Sequence, residues 1–270
     1  IARTRIWHEQ TYSWAIAEWS LRTESDLMLL GDILSRRSYR PLWDRYEAWR
    51  RAVGDLGVVY VSPGYSAMGQ LLNYWMGVEG VMYAAVDWPG TMRSVVDRIN
   101  DNQLKLIDLL AESPAEIILM GDNFSSDIQP PHFFAEWSAD YYREAIRRLH
   151  AAGKRVAVHI DGRLKGALKM FADLGADCAD AVTPKPMGDL TPEECRREAG
   201  SDLILSGGVS PELWLPESPL ARFDEAVRAW LALRREHPRL IANAGDQVPP
   251  GAEESRIARM RDRVEAEGCF

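Results

Sequence analysis

Cysteine is scarce and poorly placed for the uses that depend on it. The chain has three in 270 residues, Cys178, Cys195 and Cys269, widely spaced and odd in number. They form neither a disulfide framework nor a CxxC metal clip, and a reducing, cytoplasmic setting is the expectation. Long apolar runs are also missing. No stretch approaches the roughly 20 residues of a membrane span, and the N-terminus lacks a signal-peptide pattern. Positive charge is the minority sign: 32 Lys and Arg stand against 40 Asp and Glu, for a net charge of −8. That balance argues against a nucleic-acid surface or an anionic membrane as partner. No GxGxxG follows any strand-like run, so a dinucleotide-binding fold lacks its fingerprint. What remains is an ordinary globular composition, 46% hydrophobic and 27% charged, with ample material for a core. Its ten tryptophans are expected in core and interface positions rather than in a cofactor cage.

From about residue 56 onward, strand-like and helix-like segments alternate. The strand candidates are Gly57–Ser62, Glu116–Gly121, Arg155–His159, Cys178–Thr183, Asp202–Ser206 and Arg239–Asn243. Each is short and apolar, as parallel strands buried on both faces should be. The helix candidates are Gly90–Glu112, Phe133–Ala152, Gly162–Leu174, Thr191–Ala199, Phe223–Glu236 and Glu253–Glu267. Punctuation supports the boundaries. Thr191, Pro192 and Glu194 form a capping box with proline at the first helical position, and Ser210-Pro211 starts a helix in the same way. Gly153 and Gly175 stand where helices should stop before strands. Repeated βα units predict an α/β fold with a parallel sheet. Polar residues follow nearly every strand rather than one switch point, which favours a (β/α)8 TIM-like barrel. Six strands fall short of eight, so one or two N-terminal βα units are expected to be missing from this chain. The expectation is a single barrel domain over residues 1–270, with a helical, insertion-like segment at 1–55 and the βα repeats at 56–270.

In such a barrel the C-terminal ends of the strands share one mouth. The most informative tip is His159 with Asp161. Residues i and i+2 of a strand point to the same side, so an imidazole and a carboxylate can meet one metal ion or one substrate atom. The plainer alternative is a strand-end histidine bonded to backbone, with Asp161 capping the next helix. Other tips carry similar chemistry: Asp122 and Asn123, Lys185 between two prolines, the Gly207-Gly208 pair, and Asp246. His159, Asp161 and Asp246 make an oxygen-rich ligand set with one imidazole, which suits zinc and also iron or manganese. Without a metal, crowded carboxylates repel, raise a pKa and form an acid/base pair. Asp122 and His159 are the catalytic candidates. Asn123, Tyr65, Lys185, Gly207 and Gly208 are the candidates for holding substrate. Each has a structural alternative: a cap for Asp122, a solvated loop for Lys185, a tight turn for the glycine pair, core packing for Tyr65 and Gln70.

In this order, the motifs resemble the uroporphyrinogen decarboxylase superfamily, which includes the methyltransferases of corrinoid-dependent methyl transfer. The resemblance rests on the stretch from Trp75 to Glu79, Gly121-Asp122, Gln129-Pro130-Pro131 before Phe133, and Ala152-Gly153-Lys154. It continues through His159-x-Asp161-Gly162, Gly188-Asp189-Leu190, Gly207-Gly208 and the run from Gly245 to Pro250. In the methyltransferase branch the corresponding tip reads His-x-Cys and a late loop supplies a second cysteine, together holding zinc. Here Asp161 and Asp246 stand at those positions, so a retained metal would have harder ligands. The resemblance implies a metal-dependent methyl- or alkyl-transferase, or a demethylase, acting on a small molecule. His159, Asp161 and Asp246 would hold a divalent metal, zinc first, and Asp122 would serve as acid/base. No Asp-x-His-x-x-Gly pattern is present, so any corrinoid would sit on a partner protein. The alternatives are a cofactor-free decarboxylase of a tetrapyrrole or other acid, and a non-catalytic member that binds a corrinoid or partner. A homodimer is also expected.

Overall fold

The structure is a computed structural model that describes residues 3–10, 12–235 and 237–268. Cys269 and Glu236 lie outside the described residues. Two compact units are present: residues 1–122 with 132–156, and residues 123–131 with 157–270. The boundary between them runs through two strands, where a single barrel domain is expected from the sequence.

The first unit opens with an antiparallel hairpin of β1 (Thr4–His8) and β2 (Ser13–Glu18), in which Trp7 faces Trp14. The hairpin is an addition to the helical, insertion-like segment expected over residues 1–55. Trp7 and Trp14 stay 42% and 57% exposed, outside the core of this chain. Helices α1 (Glu24–Leu34) and α2 (Trp43–Val53) follow. Thr23 caps α1 in a reciprocal box with Asp26, satisfying donors that would otherwise be orphaned. Next come β3 (Tyr60–Val61), the short α3 (Ala67–Gln70), a π-helical turn at Leu71–Trp75, α4 (Gly77–Asp87) and α5 (Pro89–Ala111). Strand β4 (Ile117–Phe124) runs parallel to β3. The predicted helix 133–152 is two helices, α6 (Pro131–Trp137) and α7 (Ala139–Ala151), broken at Ser138. Helix α5 packs on both α1 and α7. Leu27, Leu30, Val95, Val96 and Ile99 are almost fully buried there. Each buried side chain of this size contributes roughly 1.5–3 kcal/mol.

Strand β5 (Arg155–Ile160) leads into the second unit. There the order is α8 (Ala167–Asp173), β6 (Cys178–Val182), α9 (Pro192–Ala199), β7 (Ile204–Val209), α10 (Leu220–Ala232), β8 (Leu240–Ala244) and α11 (Glu254–Glu267). Strands β5, β6, β7 and β8 pair in sequence order, every pair parallel. Six parallel strands are therefore present among the described residues, in the βα alternation of a (β/α) barrel, which closes with eight. The capping box on α9 forms as its sequence predicts. Ser210-Pro211 starts only a single 3-10 turn, Pro211–Trp214. Helix α8 begins five residues later than expected, because Gly162 and Gly166 both take left-handed backbone angles in the preceding loop. Val209, Leu213, Trp214, Phe223, Val227 and Leu231 form a core beneath α10, joined by Met260 of α11.

Candidate active site

Strand pairing in the second unit sets His159 of β5 directly beside Asp180 of β6. The Nδ1 atom of His159 lies 3.0 Å from Oδ2 of Asp180, and the Ser206 hydroxyl of β7 reaches the other Asp180 oxygen at 3.4 Å. Three neighbouring strands thus contribute one polar row. The hydrogen bond to Asp180 is the main reason the His159 pKa is raised; burial opposes it, and the charges of Asp180, Asp161 and Asp246 add to it. With Nδ1 engaged, Nε2 is the nitrogen left for a proton or a ligand.

Asp161 follows at the end of the same strand. Its carboxylate accepts no hydrogen bond from the described residues, so the helix-cap alternative does not hold. Burial pushes its pKa up to about 6, His159 opposes the rise, and the charges of Asp246 and Asp127 add to it. Asp246 sits just beyond β8 and acts electrostatically on both His159 and Asp161. The structure therefore brings His159, Asp161 and Asp246 within one another's fields. Among the described residues, however, no three His, Cys, Asp or Glu side chains stand in an arrangement that could hold a metal ion.

Asp180 is the residue that sequence reasoning passed over. An aspartate in mid-strand is penalised by β propensity, and that conflict was the available signal. Strand β6 is irregular at this point: its register with β7 shifts between Ala179 and Val182, and Ala181 has φ 68°. A bulge of this kind re-aims side chains and recurs beside active sites. Cys178, two residues earlier, has its thiol pushed up to about 12 by burial, with Asp180 and Asp177 adding to the rise. At that value it is no nucleophile.

The other candidates are more dispersed. Asn123, one residue before the end of β4, has φ 46° and an exposed side chain. Lys185 is exposed and turns toward Glu194 of α9 at 3.7 Å. Gly207 and Gly208 have packing reasons for being glycine: a Cβ on Gly207 would strike the Val182 carbonyl, and one on Gly208 would strike the Trp230 ring.

Asp122 and Tyr65 belong to the first unit. Asp122 is 2% exposed. It accepts the Ser66 backbone N–H at 2.6 Å together with the Ser66 and Tyr142 hydroxyls. Burial raises its pKa and those bonds oppose the rise. Ser66 in turn caps α3, so Asp122 anchors a helix start. The Tyr65 carbonyl takes the side-chain amides of both Gln70 and Gln103, and its ring meets Tyr74 edge-on at 4.8 Å.

Residues 46–267 match the family described as "Uroporphyrinogen decarboxylase (URO-D)". A curated relative, uroporphyrinogen decarboxylase 1, chloroplastic, from Oryza sativa subsp. japonica, is 22% identical over 213 residues, or 78% of this chain. The chain spans about half the length of that relative, 50%. Among solved structures, a methyltransferase from Methanosarcina mazei superposes with a TM-score of 0.67 at 14% identity, covering 97% of this chain and 76% of its own. At that identity the likeness is one of fold. No described helix is long and apolar enough to cross a membrane. With most of its length inside the family match, the chain belongs to the uroporphyrinogen decarboxylase (URO-D) family.

Proposed function

We propose that the protein is a methyl- or alkyl-transferase (or demethylase) acting on a small molecule at the strand-tip site of His159, Asp161 and Asp246. The observation that carries this reading is the fixed imidazole: Asp180 holds Nδ1 at 3.0 Å while two further carboxylates act on the same ring. A histidine oriented by a carboxylate, with its other nitrogen available, is the usual outer-sphere arrangement of a metal ligand. The charge of Asp246 helps to raise the pKa of Asp161, and a cation would relieve that crowding, so the donor types suit a divalent metal in their chemistry. His159 through Nε2, with Asp161 and Asp246, would hold it only once their side chains closed on the ion, an arrangement they do not take in this structure. Zinc suits the imidazole, and iron or manganese suits the oxygen content. When bound, such an ion supplies Lewis acidity at the substrate heteroatom. Asp180 keeps the His159 ring in one orientation and one tautomer. Asp161, its pKa pushed up to about 6, would give up any proton it holds as the site fills. A corrinoid on a partner protein would be the other party to methyl transfer.

One observation favours a second reading, cofactor-free decarboxylation. With a pKa pushed up to about 6, Asp161 holds a proton in a fraction of molecules near neutral pH. It can deliver that proton to the carbon from which CO2 departs. Metal analysis separates the two readings. Protein purified without chelators should carry about one divalent ion per chain, and His159→Ala should lose it while keeping its fold. Decarboxylation that survives chelation, in protein free of metal, would overturn the transferase reading.

A further inference from the structure

The strand-tip site uses the C-terminal ends of the second unit's strands, and a cavity of about 620 Å3 stands at the opposite ends of β7 and β8. Glu193, Arg196 and Arg197 of α9, Ser201 ahead of β7, and Leu233 and His237 ahead of β8 line it. In a barrel that end carries stability rather than chemistry, so packing should account for the residues there. Arg196 goes beyond packing. It is 4% exposed. Its terminal nitrogens donate to the Leu203 carbonyl at 2.7 Å and the Arg239 carbonyl at 3.2 Å, which ties the residues just before β7 and β8 to α9. Its Nε is buried with no hydrogen-bond partner, and no carboxylate pairs with it among the described residues. A buried charge ordinarily brings an opposite one with it.

The surroundings add positive charge instead. The chain entering β8 reads Arg234-Arg235-Glu236-His237-Pro238-Arg239, three arginines and a histidine against one acid, in a protein of net charge −8. Burial lowers the Arg196 pKa and the charge of Arg239 lowers it further, so Arg196 meets a like charge where an acid would be expected. Arg197, its side chain 74% exposed, reaches Glu194 only at 3.8 Å. His237 is fixed by its backbone N–H on the Leu233 carbonyl at 3.0 Å. Among the described residues Glu193 is the one acid on the wall, and it forms no ion pair there. Ser201 adds a hydroxyl, and no Phe, Tyr or Trp lines the space. The cavity is cationic, has one acceptor carboxylate, and offers no aromatic face.

We propose that this cavity binds a phosphate monoester with a hydroxyl-bearing body, a sugar or polyol phosphate. Arg197 and His237 take the phosphate, the uncompensated charge of Arg196 attracts it, and Glu193 and Ser201 take the hydroxyls. Guanidinium–phosphate bonds are charge-assisted and geometrically specific, and a cation in a buried wall is poorly screened by solvent. A lone carboxylate suits hydroxyl donors, and the absence of rings disfavours a flat body. The volume equals roughly twenty waters at liquid density, room for a phosphate with a small sugar. The cavity is separate from the residues of the proposed transfer chemistry, so its test is a binding measurement that needs no turnover and is run on chelator-treated protein.

The full chain is titrated calorimetrically with ribose 5-phosphate and glycerol 3-phosphate, with ribose as the body without its head and inorganic phosphate as the head without a body. At least one ester should bind saturably, and ribose and inorganic phosphate should each bind about tenfold more weakly or worse. Arg197→Gln should weaken that ester by about tenfold, and His237→Gln by several-fold. Arg197 is largely exposed, so its variant keeps the test open if His237→Gln fails to fold. His159→Ala, at the strand tips, should leave ester binding unchanged, which separates this cavity from the site of the proposed transfer chemistry. Undiminished ester binding in a folded Arg197→Gln or His237→Gln protein would overturn the proposal. So would loss of ester binding in folded His159→Ala, equal affinity for ribose or inorganic phosphate, or the absence of saturable binding by either ester.

Discussion

Asp122 and Asp161 each sit at or near the end of a parallel strand, and burial raises the pKa of both. Their surroundings separate them. Asp122, in the first unit, is almost wholly enclosed and answered by three donors, one backbone N–H and two hydroxyls. Asp161, in the second, is half-buried, accepts no hydrogen bond from the described residues, and faces the charges of Asp246 and Asp127. The same residue type at the same kind of position therefore does opposite work. A satisfied buried carboxylate fixes structure, and an unsatisfied, crowded one is available for chemistry.

The sharpest way to break that contrast is to truncate both. Asp122→Ala leaves the Ser66 N–H, the Ser66 hydroxyl and the Tyr142 hydroxyl without their acceptor and should cost about 3 kcal/mol or more. Asp161→Ala removes like-charge crowding and should change stability by no more than about 0.5 kcal/mol, while removing metal binding. Urea denaturation of the two variants beside wild type decides it. Equal losses would mean that Asp161 is structural too. Next in size is Gly69→Ala. A Cβ there would run into the Asp122 carboxylate, so the Ser66 bonds must shift; overpacking of this kind costs about 1–3 kcal/mol. If Asp122 is the reason, Gly69→Ala and Asp122→Ala should be strongly non-additive in a double-mutant cycle.

The pair of His159 and Asp180 sharpens the second unit's half of the comparison. Asp180 raises the His159 pKa above its ordinary value. A group raised on folding contributes stability that is complete below its unfolded pKa and is lost as pH climbs through the folded one. In metal-free protein, Asp180→Asn should therefore lower stability at about pH 5 and converge on wild type above the His159 titration. The imidazole resonance followed by NMR should titrate at lower pH in the variant. A difference from wild type that grows with rising pH would contradict the assigned hydrogen bond.

How much of this could be read in advance follows from which signals are local. The parallel strands were legible because short apolar runs between capping and glycine signals resemble little else. His159 and Asp161 were legible because alternation alone puts them on one side of β5. Asp180 was not, because its role arises from register between β5 and β6 and from the irregularity at Ala181, neither of which a single segment encodes. The N-terminal hairpin was missed for a related reason. Its residues stay largely exposed, so no burial-driven alternation marks them, and pairing between Trp7 and Trp14 is a tertiary fact. The surroundings of Asp122 were not legible, since Ser66 and Tyr142 lie 56 and 20 residues away along the chain.

The smallest expected effect concerns Lys185, held between two prolines and the one strand-tip cation considered for substrate. Its ammonium lies 3.7 Å from Glu194, and the side chains are 54% and 36% exposed. An ion pair that open is worth about 0.5 kcal/mol or less in water. Glu194 has a second task, because its carboxylate accepts the Thr191 N–H at 2.8 Å while its own N–H bonds the Thr191 hydroxyl at 3.2 Å. Loss of a capping box costs about 1 kcal/mol. Lys185→Ala should therefore leave the unfolding midpoint nearly unchanged, Glu194→Ala should lower stability by about 1 kcal/mol, and their coupling should be about 0.5 kcal/mol or less. A larger coupling would show that the pair itself pins the loop after β6. A Lys185→Ala protein of normal stability that has lost affinity for a small-molecule ligand would instead give the lysine a direct contact, and would extend the chemically available side of the comparison to a third strand tip.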